Sequence, residues 1–297
     1  MRRILLFLGT NIAVLLLLAI VCRLFGIDQM AAANGYGGMT GLLLYAAVFG
    51  MGGAFISLAL SKWIAKRSTG ARVITQPQNE TERWLVDTVR RHAQSAGIGM
   101  PEVAIYDAPE MNAFATGMTK NSSLVAVSSG LLQQMDREQA SAVLGHEIGH
   151  VANGDMVTLT LIQGVLNTLV ILAARIVGRA IDGWMSGGRD ENRGGGGIGY
   201  FVVVMVLQVV FGLFASIIVA AFSRWREFRA DSAGARFAGR GAMISALQRL
   251  KANHGESTLP NTIAAFGISG PLADGLRRLF MSHPPLDERI AALQNSR

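Results

Sequence analysis

Four apolar runs, at 4–21, 41–60, 156–174 and 198–222, do most to limit what this chain can become. A bilayer's hydrocarbon core takes about 20 apolar residues as a helix, and none of the four runs holds an Asp, Glu, Lys or Arg. With 51% hydrophobic and only 16% charged residues over 297 positions, the expected class is a membrane protein. Spans empty of charge argue against a transporter, which buries ionisable groups on its pathway. The net charge of +7 does not indicate nucleic acid, because the basic residues gather at the edges of the apolar runs instead of forming one aromatic-interleaved patch. No glycine-rich phosphate loop ending in Lys and Ser or Thr occurs, so no nucleotide is expected. Cys22 stands alone, which excludes an intrachain disulfide.

The charges at the ends of the runs set an expected topology. Arg2 and Arg3 precede the first run, Lys62, Lys66 and Arg67 follow the second, and Arg23 alone marks the turn. The positive-inside rule then puts both ends of an uncleaved hairpin, 1–69, in the cytoplasm. Residues 70–155 turn soluble in composition, with an amphipathic helix at 81–96, a strand at 103–106, and a second β-type run at 123–127 after Asn112-Ala-Phe-Ala-Thr-Gly117. Two or three short strands therefore make a small sheet packed on helices. A second hydrophobic hairpin, 156–222, contains a glycine-rich loop; Arg175 and Arg179 at its turn leave a re-entrant hairpin as an alternative to two crossings. Residues 223–297 are soluble again.

The chemistry is concentrated in His146-Glu147-Ile148-Gly149-His150. Two histidines four apart on a helix share a face and can reach one metal ion, while Glu147 falls beside a metal-bound water. Asp136 with Gln139 reads as an N-cap and its capping-box partner, Ala140, Val143, Leu144, Ile148 and Val151 form an apolar stripe, and Gly154 offers a stop. A catalytic zinc needs a third protein ligand. The candidates are His92, His254, His283 and Glu227. Glu227 stands four residues before Asp231, so one could bind metal while the other accepts the proton of a ligand imidazole. An even number of crossings separates the histidines from Glu227, which returns them to the same side of the membrane.

In this order the motifs resemble the HtpX family of membrane-anchored zinc metalloproteases, related to the CaaX prenyl-protein proteases. The resemblance runs through the N-terminal hairpin, Asn112–Gly117, His146-Glu147-x-x-His150, the second hairpin, Glu227-x-x-x-Asp231, and His283-Pro-Pro before Arg289-Ile290. It implies a mainly α membrane protein whose zincin-like metalloprotease domain, helices plus a small β-sheet, is accompanied by two hydrophobic hairpins. It implies one Zn2+ held by His146, His150 and Glu227, with Glu147 as catalytic base and Asp231 behind a ligand histidine. Asn112 and Ala113 then belong to an edge strand that holds the substrate backbone, and His283 is a gate or an oxyanion donor; Arg229 is a second candidate for that donor. The expected function is endopeptidase cleavage of polypeptides, above all misfolded or damaged membrane proteins in stress quality control. The expected place is a bacterial-type inner membrane, with the catalytic domain on the cytoplasmic side. Two alternatives stand beside it: a CaaX-type prenyl-protein protease, for whose enclosed chamber four runs are few, and a silent scaffold, against which Glu147 argues.

Overall fold

The computed structural model describes residues 39–185, 198–253, 279 and 281–295. The first apolar run, the glycine-rich loop at 186–197, and His254 with the segment after it lie outside these residues. The chain divides into two compact units, one from Met1–Ser57 and Thr160–Val219, the other from Leu58–Leu159 and Ala220–Arg297.

The described part of the first unit is helical, and its helices continue along the chain into residues of the second. Helix α1 (Met39–Ala47) passes through a π-helical turn, Val48–Gly52, into α2 (Gly53–Thr69), while α6 (Asp155–Met185) and α7 (Ile198–Ala238) each run unbroken. Three stretches, Gly41–Thr69, Asp155–Ile181 and Gly199–Ala238, are long and apolar enough to cross a bilayer. Large apolar side chains stay exposed along them, among them Leu161, Val165 and Leu169 on α6 and Phe201, Val206, Val209 and Leu213 on α7. In water such a surface would be costly, and lipid chains are the solvent that suits it. Small residues let the helices approach one another. A Cβ added at Gly50 would run into Thr168, and one at Gly178 would lie 2.7 Å from Val204 Cγ2.

The second unit packs helices on a four-stranded mixed sheet of order β1-β2-β4-β3. Its strands are β1 (Arg72–Val73), β2 (Glu102–Tyr106), β3 (Ala113–Thr119) and β4 (Ser122–Ser128); β2 runs parallel to β4, and the other two pairings are antiparallel. The alternation of strand side chains sends Val125 and Val127 to one face and Leu124 and Ala126 to the other. On the first face they meet Leu85 and Val89 of α3 (Glu80–Ala96), Leu144 and Ile148 of α5 (Arg137–Asn153), Met243 and Leu247 of α8 (Arg240–Asn253), and Leu293 of α9 (Leu286–Asn295). Each of these large side chains adds about 1.5–3 kcal/mol by leaving water. The short helix α4 (Ser129–Gln134) joins β4 to α5. Of the sheet, β1 goes beyond the two or three strands expected from sequence, because two residues carry no readable period.

Candidate active site

Helix α5 begins where its sequence says it should. Asp136 accepts from the Gln139 amide at 2.8 Å, and Gln139 Oε1 accepts from the Asp136 amide at 3.3 Å. It ends at Gly154, whose φ of 69° is the left-handed conformation that glycine adopts without cost. Asp155 then opens α6 at once.

What brings α5 against α7 is a seam almost without side chains. A Cβ added at Gly149 would lie 2.6 Å from Ala233 Cβ and 3.4 Å from Ala230 Cα, one at Gly145 would lie 3.2 Å from Gly234 Cα, and one at Gly234 would lie 2.9 Å from the Ala142 carbonyl. This close approach lets the short Glu227 side chain reach both histidines. His146, His150 and Glu227 are all buried, and one ligand atom from each lies within 4.8 Å of the others. The two Nε2 atoms are 3.1 Å apart, His150 Nε2 is 3.2 Å from Glu227 Oε1, and His146 Nε2 is 3.6 Å from Glu227 Oε2.

A second ring of groups fixes the imidazoles. His146 Nδ1 lies 2.9 Å from Asp231 Oδ1, and His150 Nδ1 lies 2.6 Å from Asp155 Oδ2. Arg289, buried in α9, donates to both Asp231 oxygens, at 2.7 Å from Nε and 2.5 Å from Nη2, and its Nη1 is 3.4 Å from Glu227 Oε2. With both Nδ1 atoms held by carboxylates, both Nε2 atoms face one point. Glu227 Oε1 is buried there without a hydrogen-bond partner among the described residues. Burial presses the His146 imidazole towards its neutral form, yet Asp231 and Glu227 outweigh it and lift it to about 9. His150 is raised in the same way, by Asp155 and Glu227 against its own burial. Two imidazole nitrogens and one carboxylate facing a common point could hold a divalent metal ion.

The remaining candidates fall in different places. Glu147 follows His146 and is half-buried. Asn112 is exposed just before β3, its carbonyl accepting from the Ser128 amide and its own amide donating to Ser128 Oγ, and Ala113 opens the edge strand; no strand pairs with the outer side of β3 among the described residues. His283 Nδ1 lies 2.8 Å from Glu227 Oε2, while most of its side chain stays exposed. Arg229 is not brought to the trio. Two residues beyond Glu227 it emerges about 200° around the helix, where it donates to Asn153 Oδ1 at 3.3 Å and lies over the Trp225 ring. The cation beside the trio is Arg289, 3.4 Å from Glu227 Oε2, a placement that sequence reasoning misses. Asp155 escapes it as well, although its place directly after the glycine stop is a usable signal.

The model of peptidase family M48 matches residues 79–297. The chain is 63% identical over 293 residues to a protease HtpX of Xanthomonas euvesicatoria pv. vesicatoria, covering 99% of this chain and 97% of that protein. It is 62% identical over 295 residues to the protease HtpX of Xanthomonas campestris pv. campestris strain B100, covering 99% and 98%. Among solved structures, the crystal structure of S. mikatae Ste24p superposes with a TM-score of 0.71 at 17% identity, over 98% of this chain and 65% of that one, a likeness of fold alone. With its helices suited to a bilayer, the chain is a membrane protease that belongs to peptidase family M48, beside the HtpX proteases.

Proposed function

We propose that the chain is a zinc-dependent endopeptidase that cuts misfolded or damaged membrane proteins as part of stress quality control. The observation that carries this reading is the buried convergence of His146 Nε2, His150 Nε2 and the Glu227 carboxylate. These three residues would hold one Zn2+, which supplies Lewis acidity and a water acidic enough to lose its proton near neutral pH. Glu147 takes the proton of the attacking water and delivers it to the leaving amine. Asp231 and Asp155 keep both histidines in the tautomer that binds metal, and Arg289 holds Asp231 in place. The Asn112–Ala113 edge receives an extended substrate backbone. His283, hydrogen-bonded to Glu227 and open to solvent, is the donor nearest to hand for the developing oxyanion.

Positive charge at the ends of the apolar runs supports an inner-membrane protein with its catalytic unit in the cytoplasm. Substrates near that face are membrane proteins. The test is casein cleavage and metal content of the detergent-solubilised full chain beside Glu147→Gln and Glu227→Ala. The expected result is one zinc per chain with activity for wild type, zinc without activity for Glu147→Gln, and loss of both for Glu227→Ala. Full zinc in Glu227→Ala, or undiminished cleavage by Glu147→Gln, would refute the assignment. Offering a prenylated peptide beside an unfolded membrane protein separates quality control from prenyl-protein processing.

A further inference from the structure

The first unit contains a cleft of about 540 Å³ whose lining includes none of the candidate active-site residues. Val170, Ile171, Val204 and Met205 give it an apolar wall, and Tyr45, Tyr200 and Arg175 gather at one end. Arg175 lies 20 residues beyond Asp155 on an unbroken helix, about 30 Å along its axis. That is the thickness of the hydrocarbon core, so if this helix crosses the bilayer from Asp155, the guanidinium stands at the headgroup level of the opposite leaflet. It lies 4.1 Å from the Tyr45 ring centroid, and no carboxylate is within ion-pair distance of it among the described residues. Tyr200 is at nearly the same level, because a Cβ on Gly178, one turn past Arg175, would lie 3.4 Å from its ring. From there the lining continues inward for two helical turns, to Asn167 on α6 and Gln208 on α7, about 12 Å.

We propose that this cleft binds one anionic phospholipid, its phosphate on Arg175 and Tyr200 and one acyl chain along the Ile171–Val204 wall. The charge of the head, the level of the arginine and the apolar wall of Val170, Ile171, Val204 and Met205 each match one part of such a molecule. A zwitterionic lipid has the same chains and no net charge to offer the guanidinium.

The experiment is native mass spectrometry of the delipidated full chain in detergent, titrated with phosphatidylglycerol or phosphatidylcholine. Wild type is expected to retain one phosphatidylglycerol, and Arg175→Gln to weaken it about five-fold, with phosphatidylcholine little changed. Arg175→Lys keeps the charge and should recover most of the preference. Val204→Trp, which fills the wall, should weaken both lipids; circular dichroism checks that it is folded. Arg179→Gln, exposed and outside the lining, should behave as wild type. Equal retention by wild type and Arg175→Gln, or an equal loss in Arg179→Gln, overturns the proposal. So does protection of Met205→Cys from a membrane-soluble maleimide in the delipidated protein, which would mean that the first apolar run, 4–21, already fills the cleft.

Discussion

Gly149→Ala tests whether the side-chain-free seam builds the metal site. The new methyl carbon would stand 2.6 Å from Ala233 Cβ, whereas two such carbons rest at about 3.5–4.0 Å. Both belong to helices whose backbones are fixed on either side, so the seam must open by about 1 Å to reach that separation. Zinc tolerates only about ±0.2 Å in its ligand distances, and Glu227 moves with the helix that carries Ala233. Overpacking costs about 1–3 kcal/mol, and replacing a helical glycine by alanine returns about 1 kcal/mol. Net destabilisation should therefore stay near about 0–2 kcal/mol. A misplacement of reacting groups by about 1 Å is worth about 100-fold in rate. The variant should fold, hold less than stoichiometric zinc after dialysis, and cleave casein about 100-fold more slowly. Adding Ala233→Gly removes the obstructing methyl and should restore zinc and most of the rate. A single mutant with wild-type zinc and activity, or a double mutant that recovers neither, would refute the reasoning.

Other outcomes follow from the buried charges. Asp231→Asn should weaken zinc binding about 10–100-fold by loosening the His146 tautomer, read by competition with a chelating dye. Arg289→Gln leaves Asp231 buried without its bidentate partner and should cost about 3–5 kcal/mol in denaturant unfolding; an unchanged midpoint would show that the pair contributes nothing. His92 is held below its ordinary value by burial, and more weakly by the charge of Arg91, against the hydrogen bond to Ser141. The unfolded chain therefore takes up a proton below about pH 6.5 that the folded chain refuses. This histidine should lower stability as pH drops through about 6.5 towards 5, against the opposite pull of His146 and His150, whose raised values favour the folded state as pH falls towards about 6.5. Thermal unfolding of metal-free protein should therefore show the stability difference between wild type and His92→Gln shifting towards the variant on acidification, and parallel curves would exclude the histidine as the cause.

Much of the catalytic unit is legible in the sequence because its signals are local. The Asp136–Gln139 cap, the 3.6-residue stripe of α5 and the stop at Gly154 each depend on residues within a turn or two of one another. Glu227 and Asp231 are readable as a pair for the same reason. Arg289 is not, since its partners lie 58 and 62 residues earlier and only tertiary packing brings them together. Nor is the role of Gly149: a glycine inside a metal motif reads as a tolerated weakness until Ala233, far along the chain, is seen against it. Arg229 misleads because a nearby number is not a nearby place; the helix turns it to the opposite side.

The outer side of β3 presents a row of main-chain donors and acceptors with no strand beside it among the described residues. Such a row takes any backbone that can lie straight and largely ignores which side chains it bears. A natively folded neighbour has already spent those groups on itself, whereas a chain that has lost its structure offers them freely. On the proposed docking of substrate there, selection by that edge would be a reading of conformation, taking a damaged copy and sparing a healthy one even though their sequences are the same.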